Sequence, residues 1–407
     1  MAFTTVRVPH IILPKKGTDM TAYAVIACDQ FTCQRSYWDD LNKMVGDKPS
    51  TLHMIFPEAY LETTDNDAYI KNINSKIKEY LDNGDLEDVG PCFVLVERVT
   101  SYGTRRLGLI LAIDLEDYSY HRGVKCSIKA SEATIVERIP PRLKIREDAP
   151  IELPHTLVLF EDKHKTIVEP LYEKRNQLPV LYDFELNQEG GHIRGYRIDD
   201  TKAVVDLFEK LYIHNNNGLS FIVGDGNHSL ATAKEHWEQI KANLSLEERE
   251  KHPARFALVE ANNVYDEGIN FEPIHRIVFN SEPKFEKKLM ECCDGQSGDC
   301  YIFDAKQGKK TIKTPLNAAE TYKMIQSLID EFLKENNKSS VDFIHDESSL
   351  IDVAKENSNS LAIRMPALGK NDIFAFVSKD AVLPRKSFSM GHASEKRYYL
   401  EAKSIRG

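Results

Sequence analysis

The run Val223-Gly224-Asp225-Gly226-Asn227-His228-Ser229 carries the residue types of an anion site. It follows the apolar strand signal Leu219-Ser220-Phe221-Ile222-Val223 and leads into a helical pattern over 228–241 with Leu230, Ala233 and Trp237 on one face. A strand that passes through Gly-Asp-Gly into a helix presents unpaired N–H groups at the positive end of the helix dipole, where a phosphate is favoured. Gly224 and Gly226 allow close backbone approach, and Asn227, His228 and Ser229 offer polar contacts on the first turn. Asp225 must then cap the helix, hold a metal ion, or accept a proton from an attacking hydroxyl. The bland alternative is an aspartate bonded to its own backbone at a helix entry. The run fits neither the P-loop nor the dinucleotide pattern.

A second cluster of candidates lies in residues 129–155, where Arg138, Arg142, Lys144 and Arg146 crowd with Ser131, Thr134 and His155. A solvated charged face competes with an anion-binding role there. Arg138 and Arg142, four apart, would share a helical face, although Pro140-Pro141 favours an extended conformation. A third candidate, Asp29, ends the small apolar stretch 20–27, which reads as a short buried strand.

The elements that must position these residues alternate along the chain. Helical spacing marks residues 34–45 (Tyr37, Trp38, Leu41, Met44), 67–82 and 203–214, and strand signals mark Cys92–Val96 and Leu107–Ile113, a hairpin around Gly103. Beyond a strand at Arg255–Val259, a polar, lysine-rich stretch from Asn280 to Lys313 is a soft boundary. Helix 320–335 and strands 361–365 and 373–377 follow. The expected fold is mixed α/β, with a catalytic unit over 1–280 and a smaller α/β unit over 281–407, whose segment Ser387–Arg397 returns toward the active cleft.

Composition narrows the function classes. With 407 residues, 42% hydrophobic and 29% charged, the chain is ordinary for a globular protein of two compact units. The net charge of −10, from 53 Lys+Arg against 63 Asp+Glu, argues against nucleic-acid binding, and no apolar run approaches a membrane span. The N-terminal residues lack a signal-peptide pattern, so a cytoplasmic location is expected. Seven cysteines without a Cys-x-x-Cys pair read as reduced thiols, and the Cys292-Cys293 pair with Cys300 fits a zinc site poorly.

Five blocks in order give the chain a family likeness: Ala27–Thr32; Ala130–Arg142 with Leu153-Pro154-His155; Gly224–Lys234; Phe271-Glu272-Pro273-Ile274-His275-Arg276; and Phe388–Gly391 with Glu395-Lys396-Arg397. On these the chain resembles a bacterial and archaeal family of the ParB/sulfiredoxin-like superfamily, whose members include nucleotide-binding ParB proteins, sulfiredoxins and free-serine kinases. The resemblance implies a ParB-like catalytic unit with phosphate bound at the glycine-containing helix start. The kinase branch has an Asp-Gly-His-x-Arg motif whose aspartate helps activate the serine hydroxyl, a role that falls on Asp225. This chain departs from it with Asn227 for the histidine and Ser229 for the basic residue, so Arg138, Arg142, Lys144 and Arg146 are the substitutes. Asp29 is similar in location to the kinases' N-terminal catalytic acid. The resulting expectation is a kinase acting on free L-serine with Mg²⁺ and either pyrophosphate or an adenine nucleotide as donor, with Ser131, Thr134, His275, Arg276, Lys396 and Arg397 on the substrate side. The alternatives are a ParB-like nucleotide-binding regulator and a phosphatase acting on phosphoserine.

Overall fold

The computed structural model describes residues 5–61, 64–121, 123–134, 136, 139–291, 297–315, 317–379 and 382–407. Arg138 and the Cys292-Cys293 pair lie outside the described residues. The architecture is mixed α/β. The chain forms two compact units, one of residues 1–130, 134–269 and 392–407, the other of residues 131–133 and 270–391.

The first unit is built on a mixed sheet. Its strands run in the order Val180–Leu186, Gly191–Ile198, Phe93–Val99, Arg105–Asp114, Phe256–Asn263, Leu157–Phe160, Phe221–Asp225, Ile128–Ala130 and Tyr118–Ser119. The hairpin is present in antiparallel register, Val94 opposite Ile110 and Val96 opposite Gly108. Leu107, Leu109, Ile110, Leu111 and Ile113 are all buried, so this strand reads as a continuous apolar run because both of its faces are covered. The chemistry gathers on the central antiparallel pair of Leu157–Phe160 with Phe221–Asp225, in which Leu157 is opposite Asp225.

Helices share the core of this unit. Arg35–Val45 buries Trp38, Leu41 and Val45, and Asn66–Asp82 buries Ile73, Ile77 and Tyr80 at helical spacing, its start capped by Asp65 on the Ala68 N–H. The stretch 20–27 corrects the strand expectation. Asp19 accepts from the Ala22 N–H and starts a short helix, Met20–Tyr23, leaving only Val25–Ile26 as strand. A short apolar run has no periodicity to separate the two forms, and the capping aspartate decided it. The extended expectation at Pro140-Pro141 is also corrected. Both prolines sit in the first turn of the helix Ile139–Glu147, where a missing N–H costs no intrahelical bond.

The second unit carries an antiparallel sheet in the order Gly308–Lys313, Ser297–Asp304, Ser360–Arg364, His275–Phe279 and Ser340–Ile344. Ile277, Leu350, Ala354 and Ala362 form one core cluster there. The lysine-rich stretch folds as the helix Pro283–Glu291 and two of these strands, with its lysines exposed save the half-buried Lys310, which pairs with Glu286. Residues 373–377, expected as a strand, lie in the helix Lys370–Val377, whose start is fixed by Asp372 accepting from the Gly369 N–H. Ile373, Phe374, Phe376 and Val377 are all buried, which removes the amphipathic signal that distinguishes helix from strand. Among the described residues no helix is long and apolar enough to cross a membrane.

Candidate active site

The strand Phe221–Asp225 delivers Asp225 directly to the helix Asn227–Lys241, which anchors itself through buried Leu230, Ala231, Ala233 and Trp237. Gly226 is the hinge between them. Its φ of +82° is a left-handed conformation, and a Cβ there would stand 2.9 Å from both Cα and Oγ1 of Thr156. Conformation and contact thus both require glycine. With Gly226 at the cap position there is no side-chain cap, and the helix start presents its backbone N–H groups and the positive end of its dipole. Asp225 Oδ1 accepts from the Gly226 N–H at 2.9 Å, the structural bond foreseen as the bland alternative, while Oδ2 lies 3.3 Å from Lys396 Nζ. The carboxylate therefore serves the turn with one oxygen and faces an ammonium with the other.

Lys396 is delivered by a strapped segment. The carbonyls of Ser394 and Lys396 accept from Arg98 at 3.0 Å each, and the carbonyl of Glu395 accepts from Arg106 at 3.2 Å. The Arg397 carbonyl accepts from the Ala27 N–H at 2.9 Å, and Tyr398–Tyr399 pairs antiparallel with Val25–Ile26. That pairing brings Lys396 toward Asp29, two residues beyond Ala27. Asp29 receives a hydrogen bond from Gln30 Nε2 at 3.0 Å, and its Oδ2 stands 3.9 Å from His155 Nε2. Burial pushes the Asp29 carboxyl up, but His155, the Gln30 bond, Lys396 and Arg142 together outweigh it and hold the group below the usual carboxylate range. His155 Nδ1 is 2.7 Å from the Tyr399 hydroxyl, which is 3.1 Å from Cys28 Sγ. Burial, with Asp29 alongside, pushes the Cys28 thiol up to about 11, so it is a neutral packing group. Lys396 thus pairs with Asp225 at a helix start and lends its charge to Asp29, an arrangement able to bind phosphate and to take a proton from a hydroxyl.

The remaining expected residues divide. Gly224 is the half-buried residue before Asp225, and Asn227, His228 and Ser229 form the first helical turn. Arg142 is paired with Glu58; Lys144 lies 3.4 Å from Asp67 and Arg146 2.5 Å from Glu152. The basic cluster is therefore compensated by carboxylates. Arg397 is buried between Glu260 at 3.2 Å and Glu401 at 2.5 Å and also donates to the Pro154 carbonyl, which makes it part of the scaffold beneath the site. Thr134 belongs to the first unit and is half-buried. Ser131, His275 and Arg276 belong to the second unit. The Ser131 carbonyl accepts from the Leu383 N–H at 2.8 Å. His275 Nδ1 accepts from the Met365 N–H, and burial lowers its imidazole to about 4. Arg276 is fully buried, bonded to the carbonyls of Ile274, Arg385 and Lys386 and stacked near Tyr322 and Phe343.

Sequence reasoning passed over Arg98, Arg106, Tyr399 and the role of His155. The signal for the arginines was there, since charges inside the strands Phe93–Val99 and Arg105–Asp114 face inward and need buried partners. His155 lies two residues before the strand Leu157–Phe160 and is held by the Tyr399 hydroxyl, and Tyr399 by the pairing of residues 398–399.

The family described as "Protein of unknown function (DUF1015)" matches residues 12–403, and the chain belongs to that family. No curated protein matches the chain. Solved structures similar to it include a conserved hypothetical protein from Pyrococcus furiosus, with 10% identity, TM-score 0.34, and coverage of 73% of this chain and 95% of that one. A mutant free serine kinase in complex with AMP has 9% identity and TM-score 0.38, covering 73% and 92%. SbnI with a C-terminal truncation from Staphylococcus aureus has 9% identity and TM-score 0.40, covering 71% and 85%.

Proposed function

We propose that this chain is a phosphotransferase of the ParB/sulfiredoxin-like superfamily that transfers a phosphoryl group to the hydroxyl of free L-serine, from pyrophosphate or an adenine nucleotide. The observation that carries the reading is Lys396 Nζ, 3.3 Å from Asp225 Oδ2 at the start of the helix Asn227–Lys241. Phosphoryl transfer asks a protein chiefly for in-line positioning and charge neutralisation, and these groups supply both. The helix start and Lys396 hold the donor's phosphates. Asp225, relieved of Lys396 as the lysine turns to phosphate, accepts the acceptor's proton as the new O–P bond forms and the bond to the leaving phosphate breaks. Asp29, kept anionic by its neighbours, is the second carboxylate at the site.

Among the described residues no group of three or more His, Cys, Asp or Glu side chains converges on a metal position. Mg²⁺ needs fewer protein ligands, since it keeps several waters and is held by one or two carboxylates together with substrate phosphates. Asp29 or Asp225 would provide the protein ligand. Serine as acceptor rests on the sequence resemblance. The test is to incubate the purified protein with L-serine, Mg²⁺ and, in parallel, pyrophosphate, ADP or ATP, and to read products by ³¹P NMR. O-phosphoserine with at least one donor is expected. Phosphate release without phosphoserine would assign hydrolysis instead, and no turnover of any donor would remove the reading.

A further inference from the structure

Three helices of the first unit contribute to a cavity of about 140 Å³. Asn66–Asp82 lends Ile73 and Ile77, one turn apart on one face; Ile139–Glu147 lends Ile145 with Arg142 and Arg146; Asn227–Lys241 lends Ser229 and Thr232. Phe56 and Met54 extend the apolar wall. Cys28, Arg142 and Ser229 are half-buried, which leaves a way in from solvent. The volume is about ten times the roughly 10–15 Å³ that one water needs, and well below the roughly 300–1,000 Å³ of pockets for drug-sized ligands. It is the size of an apolar cavity of roughly 150 Å³ that stays dry and takes up benzene.

The polar groups of the lining are already engaged with one another or with the scaffold. Arg142 is paired with Glu58, and Arg146 with Glu152, whose carboxylate also accepts from the Leu258 N–H at 2.7 Å and stands 3.5 Å from Lys403. The Tyr399 hydroxyl is bonded to His155 and to the neutral Cys28 thiol, and Thr232 returns its hydroxyl to the His228 carbonyl at 2.8 Å. A charged ligand would have to break one of these pairs or be buried without a partner, and either is costly. The lining therefore selects a neutral, chiefly hydrocarbon ligand, and Ser229 can meet one hydroxyl on it.

We propose that this cavity is a binding site for neutral, chiefly hydrocarbon molecules of about six to eight heavy atoms, the size of a benzene ring with one small substituent. The driving force is the apolar surface that such a ring removes from water against Ile73, Ile77, Ile145 and Phe56. The site is separate from phosphate binding. Asp29 and Asp225 lie outside its lining, so it does not depend on the phosphotransferase reading. Its occupant lies against His155, whose Nε2 is 3.9 Å from Asp29, one side chain away from the candidate site.

Isothermal titration of the full chain at neutral pH with benzyl alcohol, benzylammonium and benzoate, ligands of similar shape and different charge, tests the ligand class. Benzyl alcohol should bind, and the two ions at least about thirtyfold more weakly, since an uncompensated buried polar group alone costs that much. The place is tested by Ala149→Leu, which fills the cavity from its lining. That variant, folded by circular dichroism, should bind benzyl alcohol at least about tenfold more weakly, the scale of one misplaced methylene. Crystals of the native protein under xenon pressure locate the site without any variant: a xenon atom among Ile73, Ile77 and Ile145 is expected. No binding of benzyl alcohol, equal affinity for the ions, unchanged affinity in folded Ala149→Leu, or a cavity that takes no xenon would each overturn the proposal. If Ala149→Leu does not fold, the xenon position decides.

Discussion

At the scale of single residues, the site depends on charges that hold one another. Asp29 is buried enough to favour its neutral form, and it stays anionic because His155, Gln30, Lys396 and Arg142 more than offset that burial. Its carboxyl therefore titrates below the ordinary value of about 3.9. Activity that requires the anion should persist down to that lowered value and fall as the pH drops through it. His155 is the largest of the influences that lower the Asp29 carboxyl, so His155→Gln should move the acid limb of kcat/KM to higher pH. A pH profile of both proteins checks this, and coincident acid limbs would show that His155 does not set the charge on Asp29. Arg397 shows the opposite case. The sequence sets it beside Lys396 as a substrate contact, yet the two adjacent side chains part, the lysine toward Asp225 and the arginine into buried Glu260 and Glu401. Their identity in the sequence says only that both are cationic; which way each turns is set by strand pairing.

At the scale of elements, the turn through Gly226 is the part most fully legible in the sequence. The strand before it, the helix after it and the glycine between them were all readable from apolar periodicity and turn chemistry, because each signal is local. Gly226→Ala should cost at least about 1–2 kcal/mol for the left-handed conformation alone, with the contact on Thr156 adding to it. A denaturant titration reads the loss, and an unchanged midpoint would contradict this account of the turn. Less legible were residues 20–27 and 373–377, where burial on several sides removed the periodicity, and Pro140-Pro141, where proline is compatible with a helix start as well as with extended chain. The segment Ser387–Arg397 was expected near the cleft with Lys396 on the substrate side, but that Lys396 and His155 would be the partners of Asp225 and Asp29 was not legible. Lys396 and His155 reach them through sheet pairing and buried arginine bonds between distant parts of the chain, and no local pattern encodes such contacts.

At the scale of the whole molecule, the last residues of the chain complete the unit with which the chain begins. Residues 392–407 belong to the first unit, tied to it by Arg98, Arg106, the pairing of Tyr398–Tyr399 with Val25–Ile26, and Lys403 opposite Glu152. Arg98 bonds to three carbonyls, those of Gly190, Ser394 and Lys396, so its role is geometric as well as electrostatic. Arg98→Lys keeps the charge and loses the planar fork. It should leave at least one buried carbonyl unpaired, at about 1–3 kcal/mol, and lower kcat by displacing Lys396, an effect read by denaturant titration and turnover of the same preparation; full stability with full activity would deny the strap its role. The account as a whole places proton acceptance on Asp225, and its most direct test is the turnover of Asp225→Asn with L-serine and the effective donor, beside circular dichroism of the same sample. Asparagine keeps the size and the bond to the Gly226 N–H but not the charge, and a general base contributes about 10²–10⁴-fold. The account predicts a folded protein with kcat reduced by that factor; a folded variant turning over near the native rate would contradict it.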